Sequence, residues 1–135
     1  MKTQREKIIL NYFDPHKSLD VVDMYNWLSP DITISEPDEL PWGGQYHGLT
    51  GVGSYLTKVT QNIISEIKLE EIYTCGELVI AIGRSQGKVR KTGRSFDIRV
   101  TQLFTFNDED KINRVEFLAD MSSFLELFET QPSSS

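Results

Sequence analysis

Apolar residues recur at three- and four-residue spacing in the first half of the chain, and at every second residue in the second half. Ile8, Ile9, Tyr12 and Phe13 make one face of a helix whose pattern stops near Asp14-Pro15. Ser18 offers an N-cap for a second helix, with the stripe Val21, Val22, Tyr25 and Leu28, until Pro30 ends it. A short strand, Asp31–Glu36, precedes a third helix that Thr50 caps and that carries Val52, Tyr55, Leu56, Val59 and Ile63. Beyond it the period falls from 3.6 to 2. Strands are predicted over Glu66–Thr74, Glu77–Ser85, a stretch near Lys88–Arg90 running on past Gly93, Ser95–Phe106 and Lys111–Ala119. Their separators are turn-like: Cys75-Gly76, Gln86-Gly87, Thr92-Gly93 and Asn107-Asp108-Glu109-Asp110. A last helix, Ser122–Glu129, places Phe124, Leu125 and Phe128 on one side. Helices followed by a meander of about four antiparallel strands predict an α+β domain with its helices on one face of a sheet.

The chain's 135 residues suit one domain, expected over 1–130, with Gln131-Pro132-Ser133-Ser134-Ser135 as a disordered tail. The longest apolar run, Leu78–Ile82, is far short of the ~20 residues that a membrane helix needs. Only Ile8 to Leu10 follow the charged N-terminus, which does not match a secretory signal. Cys75 is a lone cysteine and makes no disulfide framework, so a soluble cytoplasmic protein is expected. A net charge of −6 argues against broad nucleic-acid binding. The charge is uneven: Arg84, Lys88, Arg90, Lys91, Arg94 and Arg99 share a segment with one acid, Asp97, so that segment is +5 and the remainder −11. Such a segment is either a solvated strand pair whose charges block edge association or a local anion site.

Strand parity shows which polar groups fall on apolar faces. Glu36 shares parity with Ile32 and Ile34, and Pro37 then bends the chain away. A carboxylate on that face would be desolvated and its pKa raised, which prepares a proton acceptor near neutral pH. Alternatively the strand ends at Ser35 and Glu36 is a solvated loop residue. Gln102 is the polar member of the face Ile98, Val100, Phe104 and Phe106, where its amide either satisfies backbone groups or meets a ligand. Asp120 ends the last strand, where an Asp is a ready N-cap for the helix that follows. Between the short strand and the third helix, a Gly/Pro-rich loop holds Trp42, Tyr46 and His47. Two readings are open: a lid across an apolar cavity with His47 as an acid–base group, or rings that close the end of the core with His47 exposed.

Two motif matches fail on context. Gly83-Arg84-Ser85-Gln86-Gly87 has the letters of a nucleophile elbow but leads into another strand and turn, not a helix. His16 and His47 make no metal motif with Cys75, so no metal is expected.

Glu36-Pro37 after a short strand, a Gly-x-x-x-Gly lead into a helix, Gly-turn-strand repeats and a strand ending in Asp120 resemble the nuclear transport factor 2-like superfamily. Within it the chain is similar to the ketosteroid isomerase-like and SnoaL-like branch, chiefly over Met24–Tyr55 and Thr92–Asp120. The resemblance implies a cone: a strongly curved, antiparallel-rich mixed sheet, about three helices on its concave side and a short C-terminal helix. Homodimers are common there. In ketosteroid isomerases the proton-transferring carboxylate precedes a Pro at the position of Glu36, while the position of a second, oxyanion-donating acid holds Gln102 here. In SnoaL-like cyclases the acid–base residue resembles Asp120 in position. The implied pocket takes a small, mostly apolar carbonyl compound, with Tyr25, Tyr55 and Phe104 joining Trp42, Tyr46 and Gln102 in binding it. Isomerase, cyclase or dehydratase chemistry without a cofactor is one expectation, with Glu36, Asp120 and His47 as its acid–base groups. A non-catalytic small-molecule-binding or protein-interaction domain of the same fold is the other.

Overall fold

The computed structural model describes residues 3–13 and 25–128. Helix α1 (Gln4–Tyr12) starts at a capping box in which the Thr3 hydroxyl accepts from the Glu6 N–H and the Glu6 carboxylate accepts from the Thr3 N–H. The elements that follow are β1 (Leu28–Glu36), β2 (Gly44–His47), α2 (Gly48–Asn62), β3 (Ile63–Cys75), β4 (Leu78–Val89), β5 (Ser95–Phe106), β6 (Ile112–Ala119) and α3 (Met121–Glu126). They build one open mixed sheet in the order β2-β1-β6-β5-β4-β3. Only β1 and β6 run parallel; the other neighbours are antiparallel.

One face of this sheet is the core. Alternate residues Ile32 and Ile34 on β1, Val79 and Ala81 on β4, and Phe104 and Phe106 on β5 are buried there, with Ile8 and Ile9 of α1 and Val52 of α2 packed over them. A second cluster joins Trp42, beside the β1–β2 edge, to Ile63 on β3 at the opposite edge, with Val89, Phe96, Val100 and Phe117 between. Six strands laid flat would separate those edges by about 24 Å. Their contact through one cluster means that the sheet curls around α2.

Several predicted boundaries move. Leu28 is not helical: it starts β1, opposite Ile112, and Pro30 is accommodated where the β1–β6 register shifts. Of the rest of the predicted second helix, from Ser18, residues 18–24 lie outside the described residues, Tyr25 and Asn26 are helical and Trp27 is in a turn. Besides that helical end, the described helices are α1, α2 and the short α3. Helix α2 begins at Gly48 behind His47, not at a Thr50 cap, with Gly48 at φ 71°. No separate strand forms at Lys88–Arg90. Lys88 and Val89 complete β4, and a tight turn closed by Gly93 N–H to the Val89 carbonyl leads into β5. Gln86-Gly87 is not a turn either. Gly87 stands opposite Ser65 within the sheet, where a Cβ would lie 1.9 Å from the Ile64 carbonyl oxygen. The terminal helix is shorter than predicted and begins at Met121. Its predicted end, Glu129, and the tail 131–135 lie outside the described residues.

Of the two readings of the aromatic loop, the structure agrees with rings packed into the core and His47 exposed, not with a lid. Residues 44–47 form β2 against β1, and the rings of Trp42 and Tyr46 are 3% and 8% exposed within the core. The Tyr46 hydroxyl donates to the Trp42 carbonyl at 2.7 Å, and Trp42 meets Phe128 edge-on at 5.6 Å. Burial of both rings beat their exposure over a cavity, as the hydrophobic area of such side chains favours.

Candidate functional site

Glu36 is the last residue of β1 and continues the inward row of Ile32 and Ile34. It is 7% exposed, so its carboxyl has left water almost entirely. Burial pushes its pKa from 4.5 to about 7, against the Tyr55 hydroxyl and the Trp42 side chain, which favour the charged form. The Tyr55 hydroxyl donates to Glu36 Oε1 at 2.6 Å. Glu36 Oε2 is buried without a hydrogen-bond partner.

Tyr55 comes from α2, whose stripe Val52, Tyr55, Leu56 and Val59 faces the sheet. It meets Tyr46 edge-on with ring centres 5.3 Å apart, which fixes the phenol's direction. Beside it lies an apolar cavity of about 30 Å³ walled by Ile32, Ile34, Val52, Leu56, Phe104 and Val115, with Tyr55 and Gln102 as its polar residues. Gln102, buried at 8% exposure, sits between Ala81 and Phe117 in register. Glu36 lies one step past the Ser35–Glu116 pair, level with Phe117, so β6 separates the Glu36 and Gln102 backbones by about 10 Å.

The predicted residues thus divide. Glu36, Tyr55, Gln102 and Phe104 gather at or beside one cavity. Trp42 and Tyr46 pack behind Glu36 and Tyr55. Tyr25 packs against the first cluster, its hydroxyl 3.6 Å from where a Gly53 side chain would begin. His47 and Asp120 are not brought to the cavity. His47 is exposed on the opposite face of β2 from Tyr46, with Nδ1 3.2 Å from Thr33 Oγ1. Asp120 is exposed between β6 and α3. What sequence reasoning missed is the Tyr55–Glu36 bond. Its only trace was Tyr55's place on the apolar stripe of α2.

The basic segment is largely satisfied within the fold. Arg84 Nε donates to Asp97 at 2.6 Å, and Arg99 approaches Glu71 at 3.4 Å. The Arg84 and Gln86 hydrogen bonds hold the Asp97 carboxyl below its usual range. Arg90 donates to the Thr60 carbonyl near the end of α2, and Arg94 to the Glu126 carbonyl at 2.6 Å at the end of α3. Cations at helix C-termini satisfy carbonyls that the helix leaves open.

Among the described residues, no helix is long and apolar enough to cross a membrane, and no three His, Cys, Asp or Glu residues are grouped to hold a metal. A curled, open α+β sheet that encloses an apolar cavity beside a buried carboxyl defines a nuclear transport factor 2-like domain. The chain belongs to the SnoaL-like domain family, whose model matches residues 10–115. Solved structures agree on the fold. A nuclear transport factor 2-like protein of unknown function from Burkholderia pseudomallei superposes with a TM-score of 0.85 at 19% identity, over 96% of this chain and 100% of that one. TerC, co-crystallised with polyporic acid, gives 0.82 at 21% identity, covering 95% and 100%. A candidate SnoaL-like polyketide cyclase from Jannaschia gives 0.82 at 15% identity, covering 97% and 95%. No curated protein matches the sequence.

Proposed function

We propose that this domain binds a small, mostly apolar carbonyl compound in the cavity under α2 and shifts a proton at the carbon beside the carbonyl. The observation that carries this reading is Glu36: a buried carboxyl with a pKa of about 7, hydrogen-bonded to a tyrosine of the cavity wall. A carboxyl with that pKa is half deprotonated at neutral pH, so both the proton acceptor and its conjugate acid are populated. Gln102 supplies an amide N–H for the developing enolate oxygen, a weaker donor than a protonated acid in that place. The polyketide cyclase likeness of one structural neighbour and the polyporic acid co-crystallised with another support carbonyl-bearing ligands. Exchange of acetone methyl protons in D2O, followed by proton NMR, tests the reading. The protein should accelerate exchange and Glu36→Gln should abolish it; equal rates in the two proteins would sink it.

The cavity favours a second reading, a binding domain without catalysis. Its volume is about a fifth of the ~150 Å³ apolar cavity that admits benzene, so a ring ligand requires its walls to move. On either reading we infer a homodimer formed through the outer sheet face. There, rows Tyr73–Ile80–Leu103 and Ile82–Thr101–Leu118 are in register, with Tyr73 51% and Leu118 49% exposed. Such a patch suits self-association. The lone, exposed Cys75 thiol suits a cytoplasmic location.

A further inference from the structure

Glu36 is held beside the cavity but does not form its wall, whereas Tyr55 belongs to that wall and bonds the carboxyl. Tyr55 also packs against both core clusters, the one that holds the cavity and the one that holds Trp42, behind Glu36. The phenol therefore stands at the junction between the ligand space and the buried carboxyl. We infer that Tyr55 is the group that meets the ligand, and that it relays the ligand's proton to Glu36. This inference rests on the proton-transfer reading above.

The step balances without a co-reactant. The C–H bond beside the ligand carbonyl breaks, its electron pair becomes the enolate, and its proton joins the Tyr55 oxygen. In concert, the Tyr55 O–H proton crosses the 2.6 Å hydrogen bond to Glu36 Oε1. Tyr55 begins and ends neutral, and the negative charge moves from Glu36 to the enolate oxygen. Reversal through the same phenol protonates the enolate. Direct attack by Glu36 would have to use Oε2 and bring a carboxyl that is not part of the cavity wall into the ligand space; the relay works through the wall residue that already bonds Oε1.

The test is the pH profile of acetone methyl exchange in the intact protein, with the Glu36 carboxyl carbon followed by ¹³C NMR. In the unsubstituted protein, exchange rises to a plateau as Glu36 deprotonates with a midpoint near pH 7. Tyr55→Phe removes the relay and also a donor that favours the charged carboxyl. The expected result is a plateau lowered at least tenfold, with the Glu36 midpoint moved upward. A merely structural Tyr55 gives the upward midpoint with the plateau kept within twofold, and that overturns the relay while leaving Glu36 as the base. Exchange that survives Glu36→Gln, or never exceeds the protein-free rate, overturns both readings. Should Tyr55→Phe fail to fold, 3-fluorotyrosine at position 55 keeps the hydroxyl and makes the phenol more acidic. The relay predicts a plateau changed by more than twofold, and an unchanged plateau refutes it.

Discussion

Replacing Glu36 by Gln should stabilise the fold at alkaline pH and have little effect at acidic pH. The rise in the Glu36 pKa from 4.5 to about 7 is a linkage statement. The native state keeps the proton that the unfolded chain has already lost, so the contribution is full below pH 4.5 and disappears as the pH climbs to about 7. At about 1.36 kcal/mol per pH unit, the loss across that window is about 3 kcal/mol. Gln presents a neutral amide of similar shape and removes this dependence. Urea unfolding at half-unit steps from pH 4 to 8.5 measures it, because the other carboxylates cancel in the difference between the two proteins. The difference should change by about 3 kcal/mol in favour of the Gln variant between roughly pH 4.5 and 7.5 and stay level beyond. A difference that is flat throughout that window would refute the claim that the folded protein desolvates this carboxyl.

Phe104, 1% exposed on the cavity wall, should cost about 3–5 kcal/mol when replaced by Ala, read from chemical denaturation. Gly87→Ala forces a Cβ against the Ile64 carbonyl and should cost about 1–3 kcal/mol by the same assay, with amide protection lost first at the β3–β4 pairing. Leu118→Glu, on the outer face, should convert a dimer to a monomer in light scattering while leaving the pH 7 titration of Glu36 in place.

Parity carried the sequence reading furthest. Glu36 and Gln102 point inward because strands alternate, and alternation is visible in the letters alone. Their shared level across Phe117 was not visible, since it depends on the parallel β1–β6 register, which no local pattern encodes. The Tyr55–Glu36 bond is similarly non-local: the residues are 19 positions apart, and their contact depends on how α2 seats in the curled sheet. The aromatic loop misled for a different reason. Gly43-Gly44 and Pro41 read as punctuation, yet Gly44 at φ 115° starts β2 and turns Tyr46 into the core. At Lys88–Gly93 a dense run of turn signals suggested one strand too many, although Gly87 is there to let two backbones approach.

Of the two acidic candidates, environment separates what sequence left level. Asp120 is exposed between β6 and α3, away from the cavity. Glu36 occupies a place that an apolar residue would fill with a gain: Ile32 and Ile34 precede it on the same buried row, and its Oε2 has no partner. An unsatisfied buried carboxyl oxygen costs about 1–3 kcal/mol or more, in a domain whose whole stability is on the order of 5–15 kcal/mol. Tyr55, at one of the two oxygens, and the Trp42 side chain offset only part of the cost of burial, which still leaves the pKa raised. Natural cores break their own packing rules mainly where chemistry requires it. Here the broken rule and the polar wall of the cavity meet at the same phenol, which is why the proton-transfer reading explains Glu36 better than a binding role that an apolar side chain would serve equally well.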